Sequence, residues 1–177
     1  TDPERNPGRA NLFELDRRVV VVDYAHNEAG MLGFTEMCDG LRSHGAAVWL
    51  VICAAGDRND QILHAFAYRA ARSADHVAIA ELLRYLRGRD REDTIRRLVT
   101  GAKDGGAIEV DVYADELAGL RGVFARSKRG DVIGVTALGM RGEVFAWLQE
   151  AGARRLMPAR VKQMVRRASS ATEEKGR

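Results

Sequence analysis

Continuous apolar runs restrict the fold of this chain more than any other feature of its sequence. Four valines precede Asp23 in "VVVVD" (19–23), and "AVWLVIC" (47–53) is apolar throughout. A strand with one face in water alternates apolar and polar residues, whereas a strand covered on both faces is apolar along its whole length. Further strands are expected at "HVAIA" (76–80), "IEVDVY" (108–113) and "DVIGVTA" (131–137). The runs therefore predict a sheet with helices on both faces.

The segments between these strands have the periodicity of helices. Apolar residues recur at helical spacing within 31–41, 62–70, 95–102, 117–124 and 144–148. An earlier strand, "NLFEL" (11–15), is separated from "VVVVD" only by "DRR", which predicts a hairpin. Together these patterns predict a three-layer α-β-α, Rossmann-like α/β fold. Its sheet should have about six strands, mostly parallel, with one antiparallel edge strand from the N-terminal hairpin.

The chain is expected to divide into three segments: a linker at 1–10, an α/β domain at 11–152, and a basic amphipathic helix with a disordered tail at 153–177. Two interpretations of the basic helix stay open: it packs on the domain, or it docks another subunit or an acidic partner. The chain begins at Thr1 without a methionine. This is expected of a processed or excised piece of a longer protein, and equally of a chain after tag removal.

The net charge of +3 is distributed unevenly along the chain. Residues 154–177 carry a net charge of +6, which leaves −3 for the remaining residues. A nucleic-acid-binding body would present a basic face, so nucleic acid is not expected as a partner. No apolar segment approaches the roughly 20 residues that cross a bilayer, and no signal-peptide pattern is visible. We therefore expect a cytoplasmic protein without a membrane partner, which could still form an oligomer.

The cysteines predict core packing rather than chemistry. Cys38 lies in a helical pattern and Cys53 in a strand pattern, so both are expected to be buried, reduced thiols. No CxxC or HxxxH spacing occurs, so no metal site is expected.

Polar clusters follow three of the predicted parallel strands. They consist of Asp23, His26 and Asn27, then Asp57 and Arg58, then Arg84, Arg87 and Arg89. The carboxyl ends of parallel strands meet at one edge of a sheet, where open α/β folds bind ligands. A strand-end carboxylate suits a ribose diol, and guanidinium groups suit a carboxylate or phosphate. Each cluster also has a structural interpretation: Asn27 caps a helix, Asn59 or Asp60 caps the next, and the arginines belong to a solvated loop.

The motif for a complete ATP site is missing from the sequence. There is no GxxxxGK[ST] loop to hold phosphates, and the glycines at 105 and 106 follow a helix rather than a strand. The residues alone therefore favour a domain that contributes to a site without completing it.

The clusters occur in an order that resembles a known family. "NPGRANLFELDRRVVVVDYAHN" (6–27), "GDRND" (56–60) and "YLRGR" (85–89) resemble the C-terminal domain of the Mur ligase superfamily. This superfamily contains the peptidoglycan Mur ligases, folylpolyglutamate synthase and cyanophycin synthetase. Within it, the chain most resembles the Mur-ligase-like part of cyanophycin synthetases, and the likeness covers residues 6 to about 135.

The resemblance implies a function for the longer protein. In this superfamily a central domain carries the P-loop and Mg²⁺, and the C-terminal domain closes over ATP and an amino-acid-type amine substrate. An acyl phosphate formed from a carboxylate and ATP is converted to an amide. By resemblance, the nucleotide-binding residues are Arg9, Asp23, His26 and Asn27, with Asp23 on the ribose. The substrate-binding residues are Asp57, Arg58, Arg87 and Arg89, and no residue of this segment is catalytic.

Two features of the sequence depart from the family pattern. Glu28 follows DYAHN where the family usually has proline, and "ELLRY" (81–85) stands where cyanophycin synthetases carry an acidic run. The identities of the acid and the amine therefore stay open. The alternative to an ATP-dependent ligase is a non-catalytic α/β ligand-binding or interaction module. A P-loop domain upstream of Thr1 would favour the ligase, in which the isolated segment should be inactive.

Overall fold

The structure is a computed structural model that describes residues 10–173, with side chains described as far as residue 166. Within these residues the chain forms seven strands, six α-helices and one short 3₁₀ helix (Leu83–Tyr85). The strands are β1 (Asn11–Leu15), β2 (Arg18–Asp23), β3 (Val48–Ile52), β4 (His76–Ala80), β5 (Val110–Tyr113), β6 (Val132–Thr136) and β7 (Arg154–Arg155). The helices are α1 (Glu28–Gly40), α2 (Asp60–Ser73), α3 (Arg91–Asp104), α4 (Glu116–Arg126), α5 (Arg141–Glu150) and α6 (Pro158–Glu173).

The strands form one mixed sheet in the order β5-β4-β3-β6-β2-β1-β7. The five strands from β5 to β2 are parallel to their neighbours, and β1 is antiparallel to β2. The predicted α/β fold and the predicted hairpin are thus confirmed. The structure adds β7, a two-residue strand antiparallel to β1, which is too short to leave a periodic signal in the sequence.

Two hydrophobic layers explain the continuous apolar runs. In β2, Val19 and Val21 face a core shared with α1, α2 and α3, whereas Val20 and Val22 face a core shared with α4 and α5. All four valines are at most 5% exposed. Full burial of such a side chain contributes about 1.5–3 kcal/mol. The run therefore anchors β2, and with it the polar residues that follow, in the middle of the sheet.

Side-chain caps begin four of the helices that follow the strands. Asn27 caps α1 and Asn59 caps α2, each by accepting a hydrogen bond from a backbone N–H of the first turn. Asp90 and Asp115 cap α3 and α4 in the same way. The capping interpretation of Asn27 is therefore confirmed, and Asn59, not Asp60, caps the second helix. A capping side chain fixes where each helix starts relative to the strand before it.

The described part of the C-terminal segment packs against the α/β domain. Leu156, Val161 and Met164 pack against the core shared with α1–α3, which favours the first of the two interpretations of the basic helix. The predicted disorder at 174–177 lies outside the described residues, and the division of the chain at residues 10 and 152 stays a prediction.

Cys38 and Cys53 are buried and unpaired with each other, as expected. Among the described residues, no helix is both long enough and apolar enough to traverse a bilayer.

Candidate functional site

The topology of the sheet creates a crevice at the carboxyl ends of its central strands. Strand β6 lies between β3 and β2. Helices α1 and α2, which follow β2 and β3, pack on one face of the sheet, whereas α5, which follows β6, packs on the other. A crevice forms where the segments after two adjacent strands turn toward opposite faces of the sheet. Open α/β folds bind ligands in such a crevice.

A pocket of about 80 Å³ opens at this point. Its wall combines the ends of four strands: Tyr24 and His26 after β2, Ala55, Asp57 and Arg58 after β3, Leu82, Tyr85 and Arg87 after β4, and Leu138 after β6. The structure thus brings residues of all three predicted clusters together. A site that encloses a small molecule usually measures about 300–1,000 Å³. This pocket is therefore too small to enclose such a molecule by itself.

Asp57 lies between two guanidinium groups of the pocket. Arg87 donates a hydrogen bond from Nη1 to Asp57 Oδ2, and Arg58 Nε lies 3.8 Å from Asp57 Oδ1. Arg87 adopts a left-handed backbone conformation with φ of 50°, which is strained for a residue with a side chain. Its guanidinium carbon lies 5.9 Å from the centre of the Tyr85 ring. The pocket therefore presents two partly exposed cations around one carboxylate.

The turn at 56–60, called the GDRND turn, is packed against the loop at 84–90, called the arginine loop. Gly56 N–H donates to Tyr85 O at 3.0 Å. A Cβ atom on Gly56 would lie 2.2 Å from Leu86 O, far inside any allowed contact, so only glycine permits this approach. The two predicted clusters therefore form one unit whose spacing is fixed by backbone contact.

Arg89 holds the same two segments together through its side chain. It donates to Arg58 O at 2.9 Å and to the carboxylates of Asp60 and Asp93, and its side chain is only 16% exposed. The hydrogen bond to Asp60 raises the pKa of Arg89, and the bond from Arg89 holds the pKa of Asp93 below its usual range. Arg89 does not line the pocket. Its contacts favour positioning of the turn over contact with a ligand.

Charged side chains next to Arg87 and Arg89 differ in exposure and in their partners. Arg84 is exposed and has no ion pair or hydrogen bond among the described residues. The base of the loop is closed by Arg91, whose guanidinium donates two hydrogen bonds to the buried carboxylate of Glu81, one of them at 2.6 Å. The acidic residue of "ELLRY" is thus engaged by a neighbouring helix.

The first cluster is divided between the pocket and the chain that enters the sheet. Asp23 Oδ2 accepts a hydrogen bond from Ala10 N–H at 2.7 Å, which ties the segment before β1 to the end of β2. His26 lines the pocket, with Nδ1 3.0 Å from Tyr24 O. Asp23 and Asn27 do not line it. Arg9 lies outside the described residues, so its predicted contact with the nucleotide stays a prediction.

The polar clusters of the sequence did not identify Tyr24, Tyr85 and Leu138 as pocket residues. Tyr24 lies between Asp23 and His26 in a segment that was singled out, so its position was available as a signal. Tyr85 begins the "YLRGR" segment and had the same signal, whereas Leu138 had none, because only the packing of the strand ends places it at the pocket.

A larger groove of about 280 Å³ lies at the opposite, amino edge of the sheet, beside Trp49 and His76. Two of its carboxylates are paired, Asp111 with Arg126 and Asp75 with Arg42 and Val48 N–H, whereas Glu109 is exposed. Because open α/β folds bind ligands at the carboxyl ends of their strands, the smaller pocket is the better candidate. Within the described part of the chain, no group of three His, Cys, Asp or Glu residues could hold a metal ion.

Comparison with known proteins shows the family to which the chain belongs. The model of the family described as "Mur ligase, glutamate ligase domain" matches residues 8–139. The cyanophycin synthetase of Synechocystis sp. is 32% identical over 121 residues, which are 68% of this chain and 13% of that protein. The chain therefore spans about an eighth of this curated relative.

Solved structures share the fold at lower identity. A UDP-N-acetylmuramoyl-L-alanyl-D-glutamate–2,6-diaminopimelate ligase matches with a TM-score of 0.65 and 20% identity, over 94% of this chain and 32% of that one. A bifunctional folylpolyglutamate synthase/dihydrofolate synthase from Yersinia pestis, complexed with AMPPNP and a manganese ion, matches with a TM-score of 0.59 and 15% identity, over 81% and 31%.

Proposed function

Since this chain belongs to the family of Mur ligase glutamate ligase domains, we propose that it is the C-terminal domain of an ATP-dependent acid–amino-acid ligase. In this role it closes over the nucleotide and the amine substrate. The observation that carries the proposal is the convergence of residues from three strand-end clusters in one open pocket. Because the pocket is only about 80 Å³, a second domain would supply the opposite wall.

The proposed reaction forms an amide in two steps. A carboxylate oxygen of the acid attacks the γ-phosphorus of ATP, and ADP leaves with the electron pair of the broken bond. The neutral amine nitrogen then attacks the acyl carbon, inorganic phosphate leaves with the electron pair of the broken C–O bond, and the nitrogen loses a proton to the solvent to give the amide. The chain has no phosphate-binding loop, so we assign the phosphates and Mg²⁺ to the central domain. This domain holds the reactants in place and excludes water.

The nucleotide side of the site is assigned to the end of β2. Asp23 follows four buried valines, so its backbone is fixed at the end of β2, where its carboxylate can accept hydrogen bonds from a ribose. Its bond to Ala10 N–H ties the start of the described chain to the same strand end. His26 and Asn27 lie in the same turn. Contact of Arg9, Asp23, His26 and Asn27 with ATP is proposed from the family resemblance, and for the last three residues also from their position at the end of β2.

The amine side is assigned to the two arginines that flank Asp57. Arg58 and Arg87 can receive the carboxylate of an amino acid, and Asp57 can receive its ammonium or orient the two guanidinium groups. Arg89 belongs to this side as the residue that joins the GDRND turn to the arginine loop.

Calorimetric titration of this chain with ATP tests whether the ATP phosphates are bound by the central domain rather than by this one. Ribose and adenine contacts without a phosphate cradle should give a Kd near the millimolar range, about −4 kcal/mol. The chain alone should hydrolyse no ATP. A sub-micromolar Kd would contradict the assignment of the phosphates to another domain. If the chain is instead a non-catalytic module for a different ligand, the full-length protein that contains it should show no ATP-dependent ligase activity.

A further inference from the structure

A buried carboxylate behind the pocket has no part in the roles described above. Glu116 is the first residue of α4 and is 1% exposed. Its Oε1 accepts hydrogen bonds from the consecutive backbone N–H groups of Leu138 at 3.0 Å and Gly139 at 2.6 Å. A buried carboxylate is costly unless it is well paired, so these contacts must be favourable enough to retain it.

Glu116 is not needed to begin its helix. Asp115 caps α4 by accepting a hydrogen bond from Ala118 N–H at 2.7 Å. The positive end of the helix dipole nevertheless favours a carboxylate in this first turn. The side chain of Glu116 is therefore directed to the segment that follows β6 rather than to its own helix.

That segment, residues 137–140, is called the β6 loop and forms part of the pocket wall. Leu138 lines the pocket, and so does Leu82 from the end of β4. A Cβ atom on Gly139 would lie 2.7 Å from Leu82 Cδ1 and 3.4 Å from a carboxylate oxygen of Glu116. The backbone of the loop is thus confined between Leu82 on one side and Glu116 on the other.

The same carboxylate reaches the end of β3. Cys53 Sγ lies 3.6 Å from Glu116 Oε1, and Thr136 Oγ1 accepts a hydrogen bond from Cys53 N–H at 2.9 Å. The GDRND turn begins three residues after Cys53. Glu116 therefore contacts two of the chain segments that lead into the pocket.

We propose that Glu116 is a positioning residue that fixes the β6 loop, and through it the pocket wall against which the amine substrate binds. The kinetic part of this inference rests on the proposed ligase function, whereas the structural part does not. Glu116 touches no reactant; it acts through the backbone of Leu138 and Gly139.

Three substitutions distinguish a role of Glu116 in fixing the β6 loop from a role in global stability alone. Glu116→Ala removes the acceptor and leaves two buried N–H groups unpaired. Glu116→Gln keeps an acceptor oxygen at nearly the same place and should rescue the loop. Leu120→Ala is the matched control, because Leu120 is fully buried one turn later on α4 but has no hydrogen bond to the loop. It should lower stability without moving the β6 loop.

Amide hydrogen exchange of this chain gives the first readout. In Glu116→Ala, the N–H groups of Leu138 and Gly139 should exchange at least about tenfold faster than in the wild type, after correction for the change in global stability. The reason is that local opening of the β6 loop becomes easier. Glu116→Gln and Leu120→Ala should leave the local exchange of both within about twofold. If Glu116→Ala does not fold, Glu116→Asp, which is one methylene too short to reach the loop, takes its place. Equal exchange in the alanine variants of Glu116 and Leu120 would overturn the proposal.

Steady-state kinetics of the ligase that contains this chain gives the second readout. Glu116→Ala should raise the KM for the amine about tenfold and leave the KM for ATP within about twofold, and Glu116→Gln should restore the amine KM. If Leu120→Ala raises the amine KM as much as Glu116→Ala does, Glu116 contributes to stability alone. A wild-type protein without ligase activity would refute the proposed function, while the exchange experiment would still decide the role of Glu116.

Discussion

Replacement of Gly56 by alanine tests whether the GDRND turn and the arginine loop are one unit. The new Cβ atom would lie 2.2 Å from Leu86 O and 2.9 Å from Leu86 C, both of which are backbone atoms. An ordinary contact is about 3.4 Å or longer, so the loop must retreat by roughly 1 Å at a cost of about 1–3 kcal/mol. The hydrogen bond from Gly56 N–H to Tyr85 O would also be strained, which costs about 1 kcal/mol.

The expected loss of stability is therefore about 2–4 kcal/mol. For a domain of this length it corresponds to a fall in Tm of about 5–15 °C, measured by circular dichroism. The loss should be accompanied by a rise of about tenfold in the amine KM of the ligase, because Asp57 and Arg58 move with the turn.

Gly101→Ala provides a matched control far from the pocket. A Cβ atom on Gly101 would lie 2.3 Å from His64 O, between α3 and α2, so the clash has the same size. Its fall in Tm should be somewhat smaller, because alanine gains about 1 kcal/mol of helix propensity over glycine. Its amine KM should not change. A Gly56→Ala protein with the Tm of the wild type, or with the amine KM of Gly101→Ala, would refute the reasoning.

Three further predictions concern stability and reactivity. Asp131 is buried, and although burial disfavours its charged form, hydrogen bonds from Lys128 N–H, Ala47 N–H and Trp49 Nε1 hold its pKa below its usual value of 3.8. The contribution of Asp131 to the free energy of unfolding should be complete above about pH 4 and should decline as the pH falls below that value. In urea unfolding at pH 7, Asp131→Asn should lower the free energy of unfolding by about 2 kcal/mol or more. Arg89→Lys should lower stability by about 1–2 kcal/mol, because one ammonium cannot reach all the oxygens that the guanidinium binds; an unchanged urea midpoint would contradict this. Burial and the nearby Glu116 carboxylate raise the pKa of the Cys53 thiol, so an aromatic disulfide reagent should label neither Cys53 nor Cys38 in the native chain and both after unfolding.

Much of the fold was accessible from the sequence because burial on both faces leaves a direct trace. The runs at 19–22 and 47–53 are apolar since helices cover each face, and the caps Asn27 and Asn59 mark where the next helices begin. Convergence of the polar clusters follows from the parallel arrangement alone, because the carboxyl ends of parallel strands share one edge.

The contacts within the site were not accessible in this way. The bond between Arg89 and Asp60 joins residues 29 positions apart, and the bond between Glu116 and Gly139 joins residues 23 apart. No local pattern in a single sequence encodes such a pair. For that reason the contacts by which Arg89 joins two loops were not predicted, and Glu116 was not identified, while the predicted substrate contact of Arg89 stays a prediction.

The most direct test of the proposed function is to measure two KM values in two variants of the ligase that contains this chain. Asp23→Ala should raise the KM for ATP about tenfold or more, since a charge-assisted hydrogen bond to the ribose contributes about 1.5–3 kcal/mol. Arg87→Lys should instead raise the KM for the amine, because a lysine cannot make a bidentate contact with a carboxylate. Each variant should leave the other KM within about twofold, under roughly 0.5 kcal/mol. If both variants keep both KM values unchanged, or raise both equally, the carboxyl edge of this sheet does not hold the two substrates at separate strand ends.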